Sequence, residues 1–82
     1  MTSRLIRISK VLMAAGIPNT AEPSTDPEVV DDEIKVSETV AVSIGNGYMN
    51  VTVEMPDGCY RFIPANAKTV ATIVKRALQI GE

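Results

Sequence analysis

The most restrictive feature of the 82-residue chain is a two-residue periodicity that begins at Ile34 and is interrupted by turn dipeptides. Ile34, Val36, Val40, Val42 and Ile44 alternate with Lys35, Ser37, Thr39, Ala41 and Ser43. Met49, Val51, Val53 and Met55 then alternate with Tyr48, Asn50, Thr52 and Glu54. A period of two puts each apolar set on one side of a strand and the intervening residues on the other. Between the runs stands Asn46-Gly47, the strongest short signal for a two-residue type I′ hairpin. With these two residues as the loop, Gly45 pairs with Tyr48, Ile44 with Met49, Val42 with Val51, and Val40 with Val53. A three-residue loop would set Ile44 against Tyr48 and Val42 against Asn50, mixing the faces, so the pattern selects the shorter turn.

The same test applied to Asp57-Gly58 gives a second two-residue turn. It pairs Met55 with Tyr60 and Val53 with Phe62 on the apolar face, and Glu54 with Arg61 on the other. The expectation is a three-stranded antiparallel meander in the order 1-2-3 with one oily face that contains Tyr60 and Phe62. Glu38 is the one discordant residue, pointing toward that face. An inward charge on an edge strand discourages edge-to-edge pairing, and a break or bulge around Ser37 would equally remove the conflict.

Helical spacing flanks the meander. Leu5, Ile8, Leu12 and Ala15 recur along one face of a segment from Ser3 to Ala15, with Ile6 and Met13 widening the stripe and Ser3, Arg7, Lys10 and Ala14 opposite. Thr2 or Ser3 caps it, Gly16 suits the left-handed position beyond its last turn, and Pro18 prevents continuation. After Pro64 the same period returns in Val70, Ile73, Val74, Ala77 and Leu78, with Asn66 as cap and Gly81 as stop. Three strands cannot bury an oily face unaided. The fold class is therefore α+β: a two-layer sandwich in which an N-terminal and a C-terminal helix cover one face of the meander, in the order α-β-β-β-α. The whole chain, 1–82, reads as one small domain. Residues 17–33, with Pro18, Pro23 and Pro27 and the acids Glu22, Asp26, Glu28, Asp31, Asp32 and Glu33, read as an acidic linker.

Residue inventory excludes most chemistry. With no His, the commonest general base and the commonest transition-metal ligand are both missing. Cys59 is the single cysteine, so no intramolecular disulfide forms, and without an imidazole it lacks the usual activator of a thiol nucleophile. Gly45-Asn46-Gly47 joins strand to strand, whereas a phosphate-cradling loop joins strand to helix. Carboxylates of the linker lack the spacing and glycine of a calcium loop. No catalytic residues, metal ligands or cofactor are expected, and the chain reads as a non-enzyme. The apolar run from Val11 to Ala15 is too short for a signal peptide and ends at Gly16-Ile17-Pro18, so a cytoplasmic, membrane-independent protein is expected.

Net charge is −2, but its distribution is uneven. The two helical segments carry Arg4, Arg7, Lys10, Lys68, Lys75 and Arg76 with no acid, whereas the linker carries its six acids with no base. Helix-strand-strand-strand-helix order resembles that of double-stranded RNA-binding domains, and the resemblance is one of element order alone. It implies recognition of RNA by shape, through the first helix, the loop after the first strand and the start of the last helix. Arg4, Arg7 and Lys10 correspond to the first region, Asn46 to the second and Lys68 to the third. The departures are the lone lysine where such domains carry a cluster and the acidic linker where they have a short connection.

Two further surfaces suit a protein partner. Ile6, Val11 and Met13 flank the main stripe of the first helix and give it more apolar surface than one small sheet obviously covers. The first predicted strand, Ile34 to Ile44, is an edge whose Lys35, Ser37 and Thr39 flank backbone groups available for strand addition or homodimer formation. The sequence therefore points to a non-enzymatic protein-protein interaction domain of the small accessory, inhibitor or adaptor kind, able to bind a protein partner or itself. Nucleic-acid binding through the basic helix faces is the alternative.

Overall fold

The computed structural model describes residues 3–22, 32–45 and 47–80. Helix α1 (Ser3–Ala14) leads into strands β1 (Thr20–Glu22), β2 (Asp32–Lys35), β3 (Val40–Gly45), β4 (Tyr48–Glu54) and β5 (Tyr60–Pro64), and helix α2 (Val70–Ile80) closes the chain. All pairings are antiparallel and the sheet runs β1-β2-β3-β4-β5. The α+β class and the flanking helices agree with the sequence reading. The sheet does not: it has five strands instead of three.

One added strand comes from a break in the expected first strand. Val36 and Ser37 both donate their amides to the Val40 carbonyl, and Ser37 Oγ accepts from the amides of Thr39 and Val40 at 3.2 and 3.1 Å. The chain reverses there, and Lys35 comes to lie against Ala41 and Ile34 against Val42. Val36 and Val40 sit across this turn an even number of residues apart, so the two-residue period continues through it as if the strand were unbroken. Glu38 stands exposed at the turn, which removes its conflict with the oily face. The other added strand lies inside the segment read as a linker. Thr20–Glu22 pairs with β2, placing Glu22 opposite Glu33, while residues 23–31 fall outside the described part.

The β3–β4 register matches expectation pair for pair, from Gly45 with Tyr48 to Val40 with Val53. The β4–β5 register is one residue away from expectation. Glu54 pairs with Tyr60, Val53 with Arg61, Thr52 with Phe62 and Val51 with Ile63. The turn is responsible. Gly58 donates to the Met55 carbonyl and Met55 to the Cys59 carbonyl at 2.9 and 2.7 Å, so Pro56, Asp57 and Gly58 form a three-residue loop with Gly58 at φ 87°. Pro56 supplies the fixed φ of a type I turn and Gly58 the left-handed residue that completes it, a combination that outcompetes a two-residue loop needing positive φ at Asp57. Tyr60 and Phe62 therefore turn away from the core that the sequence assigned to them.

Both helices cover the same face. α1 lies over β1 and β2, α2 over β3 and β4, and the two touch each other. Between these layers Leu5, Ile8, Leu12, Val70, Val74 and Ala77 meet Ile34, Val40, Val42, Ile44, Met49, Val51 and Val53. Every one of these side chains is apolar, and the described residues include no buried polar or charged one. Helix ends follow their local chemistry. Ile17 donates to the Leu12 carbonyl and Gly16, at φ 80°, to that of Met13, closing α1 in a Schellman motif whose following Ile17 is buried. Asn19 then fastens the exit to the helix: its amide donates to the carbonyls of Ser9 and Ile17, and its Oδ1 accepts from Ser9 Oγ at 2.6 Å. Ahead of α2, Asn66 Oδ1 accepts from the amides of Lys68 and Thr69, and Thr69 Oγ1 accepts the Asn66 amide in return. This is the reciprocal arrangement of a capping box.

Candidate functional site

The helices leave one side of the sheet open. On it stand Thr20 and Glu22 of β1, Glu33 and Lys35 of β2, Ala41 and Ser43 of β3, Tyr48, Asn50, Thr52 and Glu54 of β4, and Tyr60 and Phe62 of β5. The middle of this face is built of small residues, so a shallow depression of about 290 Å³ forms over Ala41, Ser43 and Thr52, bounded by Lys35, Glu54 and Tyr60. The chain has three aromatic residues, and all three are here: Tyr48 is 43% exposed, Tyr60 59% and Phe62 65%. Tyr48 lies across Gly45, where an added Cβ would overlap its ring, so the glycine gives this ring a flat seat on β3.

β5 differs from the other strands. The helices extend over β1 to β4, and of the five β5 residues only Ile63 is even half-buried, although it faces the core side opposite Val51. Arg61, also on that side and opposite Val53, is exposed. β5 is also the sheet edge. Met55 donates to Cys59 and Ala65 to Met49, which fixes the hydrogen-bonded pairs of this ladder as 49 with 65, 51 with 63, 53 with 61 and 55 with 59. By that alternation the amides and carbonyls of Tyr60 and Phe62, and the carbonyl of Pro64, point outward from the sheet. Among the described residues the opposite edge is shorter, since β1 presents only Ala21 in this way.

Residues singled out in the sequence fall elsewhere. Ile6 and Met13 are exposed on α1, at 40% and 54%, but Val11 packs against the core, so the surplus apolar surface of this helix reduces to two separated side chains. Lys35 is exposed, yet β2 is not an edge, because β1 pairs with it. Ser37 and Thr39 belong to the β2–β3 turn, where their hydroxyls lie 3.4 Å apart. The edge expected at Lys35, Ser37 and Thr39 is therefore absent, and the edge strands of the sheet are β1 and β5. Among the basic residues, Arg4 is half-buried and its Nη1 donates to the Gly45 carbonyl at 2.9 Å, linking α1 to the end of β3. Arg7, Lys10 and Lys68 are exposed, and Asn46 lies outside the described residues. Five strands also end the likeness in element order to double-stranded RNA-binding domains.

Cys59 is exposed beside the turn, its amide donating to Asp57 Oδ1 at 3.0 Å. Among the described residues no group of three carboxylate or thiol side chains is placed to hold a metal ion, and no helix is long and apolar enough to cross a membrane. A second depression, about 400 Å³, lies between Gly16, Ile17, Val36 and the α2 residues Lys75, Leu78 and Gln79, and is mostly apolar. No protein-family model, curated protein or solved structure matches the chain.

Proposed function

We propose that the chain is a non-enzymatic protein-interaction domain of the small accessory, inhibitor or adaptor kind, whose partner docks on the open face of the sheet along β4 and β5. One observation carries the reading: every aromatic side chain of the chain stands on that face, and each is 43% or more exposed. In a small domain aromatic rings are the largest source of core burial, so placing all of them in water forgoes stability that an interface recovers. Tyr and other aromatic residues concentrate at interface centres for that reason. The lack of histidine supports a role without catalysis.

Nucleic-acid binding gains less support. Glu22, Glu33 and Glu54 share the aromatic face with Lys35 as its one strand-borne base among the described residues, so a phosphate backbone is repelled where bases would stack. The exposed bases of the helix layer have no ring beside them to stack on, and contacts of that kind position a nucleic acid without reading it.

Paired variants test the proposal. Tyr60→Ala/Phe62→Ala removes two rings from the sheet, and Ile6→Ser/Met13→Ser removes the exposed apolar residues of α1. All four sites are exposed, so both variants are expected to melt within about 1 kcal/mol of the parent. A protein retained by the immobilised parent from host extract is expected to be lost by the ring-deficient variant and kept by the helix variant. The reverse pattern would overturn the reading.

A further inference from the structure

Resting on that reading of the face, we propose that the first occupant of the β5 edge is a second copy of the chain, paired antiparallel through β5 about a two-fold axis at Phe62. The outward-facing backbone groups dictate this register. Phe62 of each copy has its amide and carbonyl directed outward, so the two Phe62 residues exchange a pair of hydrogen bonds. Two residues along, each Tyr60 amide meets the carbonyl of the second copy's Pro64. Pro64 has no amide to give, and its place at the end of the strand confines that loss to the rim of the ladder.

Side chains agree with the same register. Tyr60, Phe62 and Pro64 of both copies fall on the open face, where Phe62 meets Phe62 and each Tyr60 lies against a Pro64. On the other side each Arg61 faces an Ile63, so like charges are not opposed. These are the residues of β5 that the helices leave uncovered, and the second copy gives them neighbours. Other self-associations fit less well. Stacking two open faces gathers Glu22, Glu33 and Glu54 of both copies into one interface with only Lys35 of each copy to offset them. Docking the basic helix layer of one copy on the acidic face of the next has no two-fold and propagates without closing. Pairing through β1 engages one outward residue per copy among the described residues. The β5 interface is a short strand pair with two rings from each side, smaller than a standard interface, so the dimer is reversible and concentration-dependent.

Phe62 permits a test of the backbone and the ring separately. Its amide faces away from β4, so Phe62→Pro keeps every hydrogen bond within the chain while removing the pair at the two-fold; Phe62→Ala removes the ring alone. Light scattering behind a sizing column over a concentration series is expected to show the parent passing from monomer to dimer. Phe62→Pro is expected to raise the dissociation constant about tenfold or more beyond Phe62→Ala, as the loss of two hydrogen bonds requires. Cross-linking reads the register without relying on either variant. In a Cys59→Ser background, Phe62→Cys places two thiols on Cα atoms about 5.5 Å apart, within disulfide reach. Arg61→Cys places them about 8 Å apart, beyond it. Rapid oxidation to a dimer is expected for Phe62→Cys only. A parent that stays monomeric up to its solubility limit, equal dimerisation of the Pro and Ala variants, or equal cross-linking at 61 and 62 would overturn the proposal. A monomeric parent that still loses its retained partner on Tyr60→Ala/Phe62→Ala would leave the broader interaction reading standing while removing the dimer.

Discussion

Val51→Asp is expected to abolish the cooperative fold. Val51 is fully buried on the core face in the middle of β4, between Val42 and Ile63 on the neighbouring strands. A carboxylate there leaves water without a partner, because the side chains of the core are all apolar. Desolvating an unpaired charge costs several kcal/mol even after relaxation, and a folded chain of this size has about 5 to 10 kcal/mol in total. Circular dichroism of the variant is expected to show no thermal transition. Thr52→Asp, one residue along, points to the open face and is expected to change stability by about 1 kcal/mol or less. Equal damage from both would mean that the pleat of β4 is misassigned.

Leu12→Ala carries the second largest effect. Leu12 is fully buried where α1 meets β1 and β2, and its carbonyl closes the helix by accepting the amides of Ala15 and Ile17. Truncation leaves that backbone geometry intact and removes only packing. The expected loss is about 2 to 5 kcal/mol, and at about 4 to 8 °C per kcal/mol the melting temperature falls by roughly 8 to 40 °C. Ala14→Ser, on the exposed side of the same helix, is expected to shift it by no more than a few degrees. A fall of less than about 4 °C for Leu12→Ala would mean that α1 is not seated on the sheet.

The parts of the fold legible in the sequence are those where two independent signals coincide. At β3–β4 the turn dipeptide and the alternation of valines select the same register, and every expected pair is present. Both helices combine a regular stripe with recognisable ends, Gly16 for α1 and Asn66 for α2. Where the signals separate, one misleads. The β2–β3 turn contains no glycine, proline or asparagine and its flanking valines keep the alternation in phase, so its one trace in the sequence is Glu38, a charge on the apolar side that a break around Ser37 removes. β1 is three residues long with one apolar side chain, too little for any period to emerge. At β5 the Asp57-Gly58 dipeptide points to a two-residue turn, whereas Pro56 immediately before it favours the longer type I loop. That single residue of register decides which side of the sheet carries the rings, since it moves Tyr60 and Phe62 from the core to the open face. The inward register is equally consistent as a pattern, because it sets Tyr60 against Met55 and Phe62 against Val53.

Hydroxyl-radical footprinting read by mass spectrometry addresses the surface directly, first on the dilute protein alone and then with the protein it is expected to retain from host extract. Met13 and Met49, at 54% and 4% exposed, supply an open and a protected reference within the same chain. Alone, Tyr60 and Phe62 are expected to be modified nearly as readily as in the unfolded chain while Met49 is protected. With the partner bound, the two rings are expected to become protected and Met13 to remain reactive. Protection of both rings in the dilute protein, or protection of Met13 in their place when the partner binds, would contradict the account.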